Sequence, residues 1–199
     1  MDYLSLLLIP FGVFWLLLAT RPHDRLVWAA ENVFTVIAIA LMLWSHRAWP
    51  LSDVSYTLMV VFLVLHTIGG HYTYVRVPYD EAAHAIAGIR VSKMFGWVRN
   101  NYDRVVHFAY GLLFAYPFFE LLETYAEPRG VWSFVLSPAL IMATSMLFEV
   151  LEWWITELLG RGKGAAYIGA QGDEWDAQKD MGLATLGSII AMGATAVLG

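Results

Sequence analysis

The residues in this sequence able to do chemistry stand in short polar stretches at the edges of long apolar runs. The densest is Gly169-Ala170-Gln171-Gly172-Asp173-Glu174-Trp175-Asp176-Ala177-Gln178-Lys179-Asp180-Met181. Asp173, Asp176 and Asp180 recur at i, i+3 and i+7, which is one stripe if the segment is helical. The alternative is a polar loop in which one Asp caps the apolar helix that follows, with Gly169 and Gly172 permitting a tight turn into it. Asp103 and His107 stand at i, i+4, so a helix places one above the other. That spacing lets both bind one metal, or lets the Asp orient a histidine base. The plainer alternative is an N-cap beside a packed histidine. Glu149 and Glu152, at i, i+3, are a pair of like charges that requires a cation, a shared proton or a basic side chain between them. Their plainer alternative is a solvated pair flanked by interfacial tryptophans. His66 and His71 are five apart and share no helix face; Gly69-Gly70 is expected to break the helix and let both turn inward. Glu31, beside Asn32, is expected to bridge to Arg25 or Arg104, or else to join the cluster.

Carboxylates and imidazoles without a single cysteine suit a divalent metal such as Zn, Mn, Fe or Mg, and histidine favours the transition metals. The expected ligand set is Asp103, His107, Glu149, Glu152, Asp173, Asp176, Asp180, His66 and His71. Glu149, Glu152 and His107 are the expected acid–base groups. Tyr72, Tyr74, Arg104, Trp153, Gln171 and Trp175 are the expected substrate contacts. The paired Glu-x-x-His motifs of di-iron bundles are missing, as are a nucleophile elbow, a phosphate-binding loop and a His-Glu-x-x-His zinc motif.

These residues must be positioned by membrane helices. The chain has 199 residues, 59% of them hydrophobic and 15% charged, which is too apolar for a soluble domain. A bilayer core about 30 Å thick takes roughly 20 apolar residues per helix. Six segments qualify: Tyr3–Thr20, Leu26–Trp44, Ser52–Gly69, Asp103–Tyr125, Val131–Leu159 and Gln178–Leu198. A seventh, Asp80–Val98, mixes apolar residues with Arg90 and Lys93 and reads as an amphipathic helix lying in the interface. The fold class is therefore all-α: a polytopic membrane helix bundle forming one integral domain over residues 1–199. The first segment lacks a basic leader and a small-residue cleavage site and reads as a retained helix.

Of the 12 Lys and Arg residues, Arg47 and Arg129 alone fall in the even-numbered connections. The others are Arg21, Arg25, Arg76, Arg90, Lys93, Arg99, Arg104, Arg161, Lys163 and Lys179. The positive-inside rule then makes the odd connections cytoplasmic and turns both termini outward. This topology gathers every polar stretch named above at one leaflet. Glu120 and Glu123 fall at the other, where snorkelling would satisfy them. The net charge of -5 and the scattered basic residues exclude nucleic acid as a partner. A membrane lipid or lipid-linked small molecule is the expected one, and the sequence carries no signal for an oligomeric state.

His71-Tyr72-Thr73-Tyr74, Val77-Pro78, Arg99-Asn100-Asn101-Tyr102-Asp103-Arg104 with His107-Phe108, Glu149-Val150-Leu151-Glu152-Trp153-Trp154, and Gln171-Gly172-Asp173 with Trp175-Asp176-Ala177-Gln178 and Asp180-Met181 follow one another in the order seen in the YjdF-like family of bacterial inner-membrane proteins. The sequence resembles that family over nearly its whole length. The resemblance implies a bacterial inner-membrane location and no assigned activity. A fainter similarity is to VanZ-like membrane proteins, in which Asp103, His107, Glu149, Glu152 and Asp176 would occupy the corresponding short motifs.

Three readings of function follow. One is a metal-dependent enzyme acting on a lipid or lipid-linked headgroup. Another is a proton- or cation-coupled transporter, and the third a non-catalytic lipid-binding protein whose acidic groups are paired internally.

Overall fold

Side-chain caps set the first helix starts. Asp2 accepts from the Ser5 N–H at 2.8 Å, Asp24 from Leu26 and Val27 at 2.8 and 3.1 Å, and Ser52 from Ser55 at 3.3 Å. Each bond satisfies a donor that a helix N-terminus leaves without a partner. The computed structural model describes residues 1–159 and 171–198. The three capped helices are α1 (Tyr3–Ala19), α2 (Arg25–Ala48) and α3 (Asp53–Tyr72). After them come α4 (Tyr79–Ala87), α5 (Val91–Phe95), α6 (Tyr102–Leu121), α7 (Trp132–Leu159) and α8 (Asp176–Leu198). A π-helical turn, Leu122–Ala126, continues α6. Gly169, expected to permit a tight turn, and Arg161 and Lys163, part of the basic bias, lie outside the described residues.

The helices α2, α3, α6 with its π turn, α7 and α8 are long and apolar enough to cross a membrane. The sixth expected segment is α1, which is apolar but has 17 residues, about 25 Å of helix at 1.5 Å per residue. The seventh differs from expectation. Asp80–Val98 forms two short helices, because Gly88 (φ +69°) and Gly96 (φ +65°) adopt left-handed conformations that terminate α4 and α5. Asp80 ties the two together by accepting from the Ser92 hydroxyl and, at 2.9 Å, from its N–H. Those bonds, the hydroxyl's first, hold the Asp80 carboxyl below its ordinary range.

Two apolar cores bridge the long helices, beside a smaller cluster of Val77, Tyr102 and Val106. Leu4 and Phe11 of α1, Met42 of α2, and Tyr56, Val60 and Leu63 of α3 form one. Ala115 of α6, Ile141 of α7, and Ala184, Ala191 and Met192 of α8 form the other. The packing of α3 against α6 joins them. The closest seam is between α6 and α8. A Cβ on Gly111 would overlap the Ala184 carbonyl, and a Cβ on Gly187 would overlap the Phe108 carbonyl. Small residues let membrane helices approach to backbone contact. This seam sets Asp103 and His107 of α6 opposite Asp176 and Asp180 of α8.

At the far end, Glu120 does not snorkel. It accepts from the Ser52 N–H at 2.7 Å, from the Ser52 hydroxyl at 2.8 Å and from the Ser55 hydroxyl. Its carboxylate anchors the start of α3 to α6, since the serines that open α3 present three donors at one point.

Candidate metal centre

The α1–α2 and α3–α6 connections and the start of α8 meet at one end of the bundle. The His23 N–H donates to the His71 carbonyl at 3.0 Å. Arg99 reaches Asp176 at 2.5 Å and Asp103 at 3.4 Å. Arg104 pairs with Asp173, and with Asp176 at 3.4 Å. These ion pairs lock the start of α6 to the start of α8.

Inside this ring of arginines lies the cluster. His107 Nε2 stands 3.4 Å from Glu149 Oε1. Ligand atoms of His107, Glu149 and Asp180 lie within 4.8 Å of one another, as do those of Asp103, Asp176 and Asp180. Asp180 belongs to both groups. The second group already has its counter-charge in Arg99 and Arg104. The first does not: among the described residues no arginine or lysine pairs with Glu149, Glu152 or Asp180. Glu149 Oε1 and Asp180 Oδ1 are buried without a hydrogen-bond partner, and Asp180 is 4% exposed. A desolvated carboxylate with neither a donor nor a counter-charge costs several kcal/mol (about 1–3 for a missing hydrogen bond alone) and is relieved by a proton or a cation. One imidazole and two carboxylates are the donor set of a Zn, Mn or Fe site, and the two orphaned oxygens fit such an ion.

Beside the cluster is a cavity of about 210 Å³. Phe34, Phe62, Phe114 and Phe148 form its apolar walls, and Asp103, His107, Glu152, Asp180, His66 and Tyr74 its polar ones. Glu152 faces this space, three residues along α7 from Glu149.

The other residues singled out by sequence stand outside the His107, Glu149 and Asp180 group. His66 lines the cavity, but both ring nitrogens are engaged: Nε2 lies 3.2 Å from the Glu31 main-chain carbonyl and Nδ1 lies 2.6 Å from Tyr74 Oη. His71 lies apart, its Nδ1 2.8 Å from the Leu18 carbonyl, with Tyr72 and Trp28 edge-on to its ring. The expected break at Gly69-Gly70 does not occur. The helix α3 runs through both glycines to Tyr72, and their missing side chains make room for the Tyr74 ring on Gly69 and for Glu31 against Gly70. Trp153 and Trp175 are more than half exposed. Gln171 donates to the Asn100 carbonyl at 2.8 Å.

Asp173 accepts from Lys179 at 2.6 and 2.8 Å, from the Trp175 N–H at 3.1 Å and from Arg104. These bonds, Lys179's first, hold its carboxyl well below the usual carboxylate range.

Sequence reasoning undervalued Glu31 and Arg99. Glu31 meets His66, Nε2 to Oε2 3.8 Å, and not Arg25 or Arg104. The one available signal was its position, a lone carboxylate more than a turn inside an apolar helix. Arg99 lies outside any span, and no local pattern ties it to an aspartate 77 residues further on.

The helices and this site define a polytopic helical membrane protein with a carboxylate and histidine cluster at one end of its bundle. A family model described as "Predicted membrane protein (DUF2238)" matches residues 3–199. The "Inner membrane protein YjdF" of Escherichia coli (strain K12) is 34% identical over 188 residues, covering 94% of this chain and 82% of the relative. The chain belongs to this YjdF-like family and is a multi-pass inner-membrane protein. Neither match concerns VanZ-like proteins. No solved structure matches the chain.

Proposed function

We propose that this protein binds one divalent metal ion through His107, Glu149 and Asp180 and acts on a lipid or lipid-linked headgroup held in the adjoining cavity. The observation that supports this reading most is the pair of buried oxygens without partners, Glu149 Oε1 and Asp180 Oδ1, set beside an imidazole and, among the described residues, in no ion pair with an arginine or lysine. A metal bound there would polarise a phosphoryl or carbonyl oxygen or activate water. Asp103 and Asp176, held by Arg99, fix the approach of α6 to α8 around the ion. Glu152, on the cavity wall, is the group placed to take a proton from a bound molecule.

The bias of Lys and Arg toward this end supports a cytoplasmic position for it, which would leave both termini outside. The exposed indoles of Trp153 and Trp175 would then sit at headgroup depth. A coupled transporter would need polar groups continuing to the far end. There Glu120 is consumed by its serine donors, which favours the enzyme.

The test is metal analysis of the purified protein with Mn²⁺ and Zn²⁺ titration. About one ion per chain is expected, lost in Asp180→Asn. If no ion co-purifies and none binds more tightly than millimolar, the reading fails.

A further inference from the structure

The cavity has a second polar wall that the metal reading leaves unused. Tyr74 Oη stands on it, 2.6 Å from His66 Nδ1. Behind the imidazole, Nε2 lies 3.2 Å from the Glu31 carbonyl and 3.8 Å from Glu31 Oε2. A carbonyl only accepts, so Nε2 carries the ring proton, and Nδ1 accepts from the Tyr74 hydroxyl. Glu31 is 1% exposed and neither of its carboxylate oxygens has a hydrogen-bond partner.

The backbone is bent to hold Tyr74 here. Thr73 and Tyr74 both adopt left-handed conformations, φ +57° and +55°, which are costly for residues with a Cβ and persist where the surroundings impose them. Gly69 has no side chain because the Tyr74 ring occupies that space. The Tyr74 N–H donates to the Gly69 carbonyl at 2.7 Å. Two glycines, two strained residues and a membrane-buried carboxylate are thus spent on one alignment.

We propose that Tyr74, His66 and Glu31 form a proton relay between the cavity and a carboxyl group stored on α2. When a molecule in the cavity gives a proton to Tyr74 Oη, the hydroxyl's own proton passes to His66 Nδ1. The imidazole then releases its Nε2 proton to Glu31. Each transfer forms one O–H or N–H bond and breaks one. Tyr74 ends as it began, His66 ends as the other neutral tautomer, and Glu31 ends as a carboxylic acid. The reverse sequence returns the proton to the cavity. Among the described residues, Glu152 of α7, His107 of α6 and Tyr102 of α6 are ionisable groups close to this chain. Glu152 lines the same cavity as Tyr74. Because no relay atom is a proposed metal ligand, the relay stands or falls independently of the metal.

The test is infrared spectroscopy of the full-length protein in lipid. Loading the relay from the cavity by lowering the pH should raise a carbonyl band of a protonated carboxyl group, absent in Glu31→Gln and shifted in Glu31→Asp. After transfer to D₂O that band should move as the proton exchanges. Tyr74→Phe and His66→Gln should slow this exchange by about a hundredfold, the low end of what a positioned proton donor contributes. Tyr125→Phe, at the far end of the bundle, should leave it unchanged. The relay is overturned if neither Glu31 substitution alters a protonated-carboxyl band, or if Tyr74→Phe exchanges at the wild-type rate.

Discussion

Carboxylates at opposite ends of this bundle are treated differently by their surroundings. Glu120 is met by three donors from the start of α3, two of them at 2.7 and 2.8 Å. Asp180 is buried and Glu149 half-buried, yet each has a buried oxygen with no donor. Glu120 is half-buried, as Glu149 is; hydrogen-bond satisfaction is what separates the two. A buried carboxylate whose lone pairs are filled by the protein is a fastener, and one left unfilled is set to receive something the protein does not supply.

The sharpest test of that contrast is Asp180→Asn. It should weaken Mn²⁺ or Zn²⁺ binding by about a hundredfold or more, which is about 2.7 kcal/mol, as read by equilibrium dialysis. Thermal unfolding should stay unchanged or rise, because one member of a crowded anionic cluster becomes neutral. Glu120→Ala should do the reverse. Ion affinity should hold, while stability in detergent falls by about 2 kcal/mol for the stranded serine donors. A result in which both variants lose binding, or both lose only stability, would abolish the distinction.

A comparable loss is expected from Gly111→Ala. The added methyl meets the Ala184 carbonyl and should cost about 1 to 2 kcal/mol of overpacking. By parting α6 from α8 it should also move His107 away from Asp180 and weaken ion binding, with the Glu120 anchor untouched. Measuring both quantities on this variant shows whether the seam or the ligands set the geometry.

The smallest effect is expected at Asp173. Its carboxyl sits below the ordinary range in the folded protein, so its bonds to Lys179 and Arg104 stabilise the fold above the unfolded value of about 3.9. That contribution fades as pH drops below this value and is gone once pH falls through the lowered one. Asp173→Asn should flatten this part of the acid-unfolding curve. The difference should shrink in high salt, because the Lys179 partner is exposed.

The outline of the bundle was legible from hydropathy alone. The six apolar segments correspond to α1, α2, α3, α6, α7 and α8 within a few residues, since a span requires a long apolar run and little else in the sequence supplies one. The split of Asp80–Val98 into α4 and α5 was legible only in part. Its two glycines weaken a helix, but their left-handed geometry depends on how the segment folds back so that Ser92 reaches Asp80. The candidate site was legible as a set of residue types at one depth. Which of them meet was not. His71 has the same chemistry as His66 and lies within the same turn and a half of α3, yet it faces the Leu18 carbonyl while His66 faces the cavity. The Gly69-Gly70 pair looked like a helix breaker and serves as a socket, because the residues that fill it, Tyr74 and Glu31, come from outside the helix.

Composition and spacing by themselves determined the class of this protein, the number of its apolar helices and the end of the bundle where its ionisable groups gather. These follow from local rules: a bilayer sets the length of an apolar run, and a helix sets the face of a residue. The tertiary structure decided which carboxylates are satisfied and which are left open. A lone pair is filled by whatever donor the neighbouring helix presents, and which helix is the neighbour is settled by contacts such as Gly111 on Ala184, far from the acids themselves.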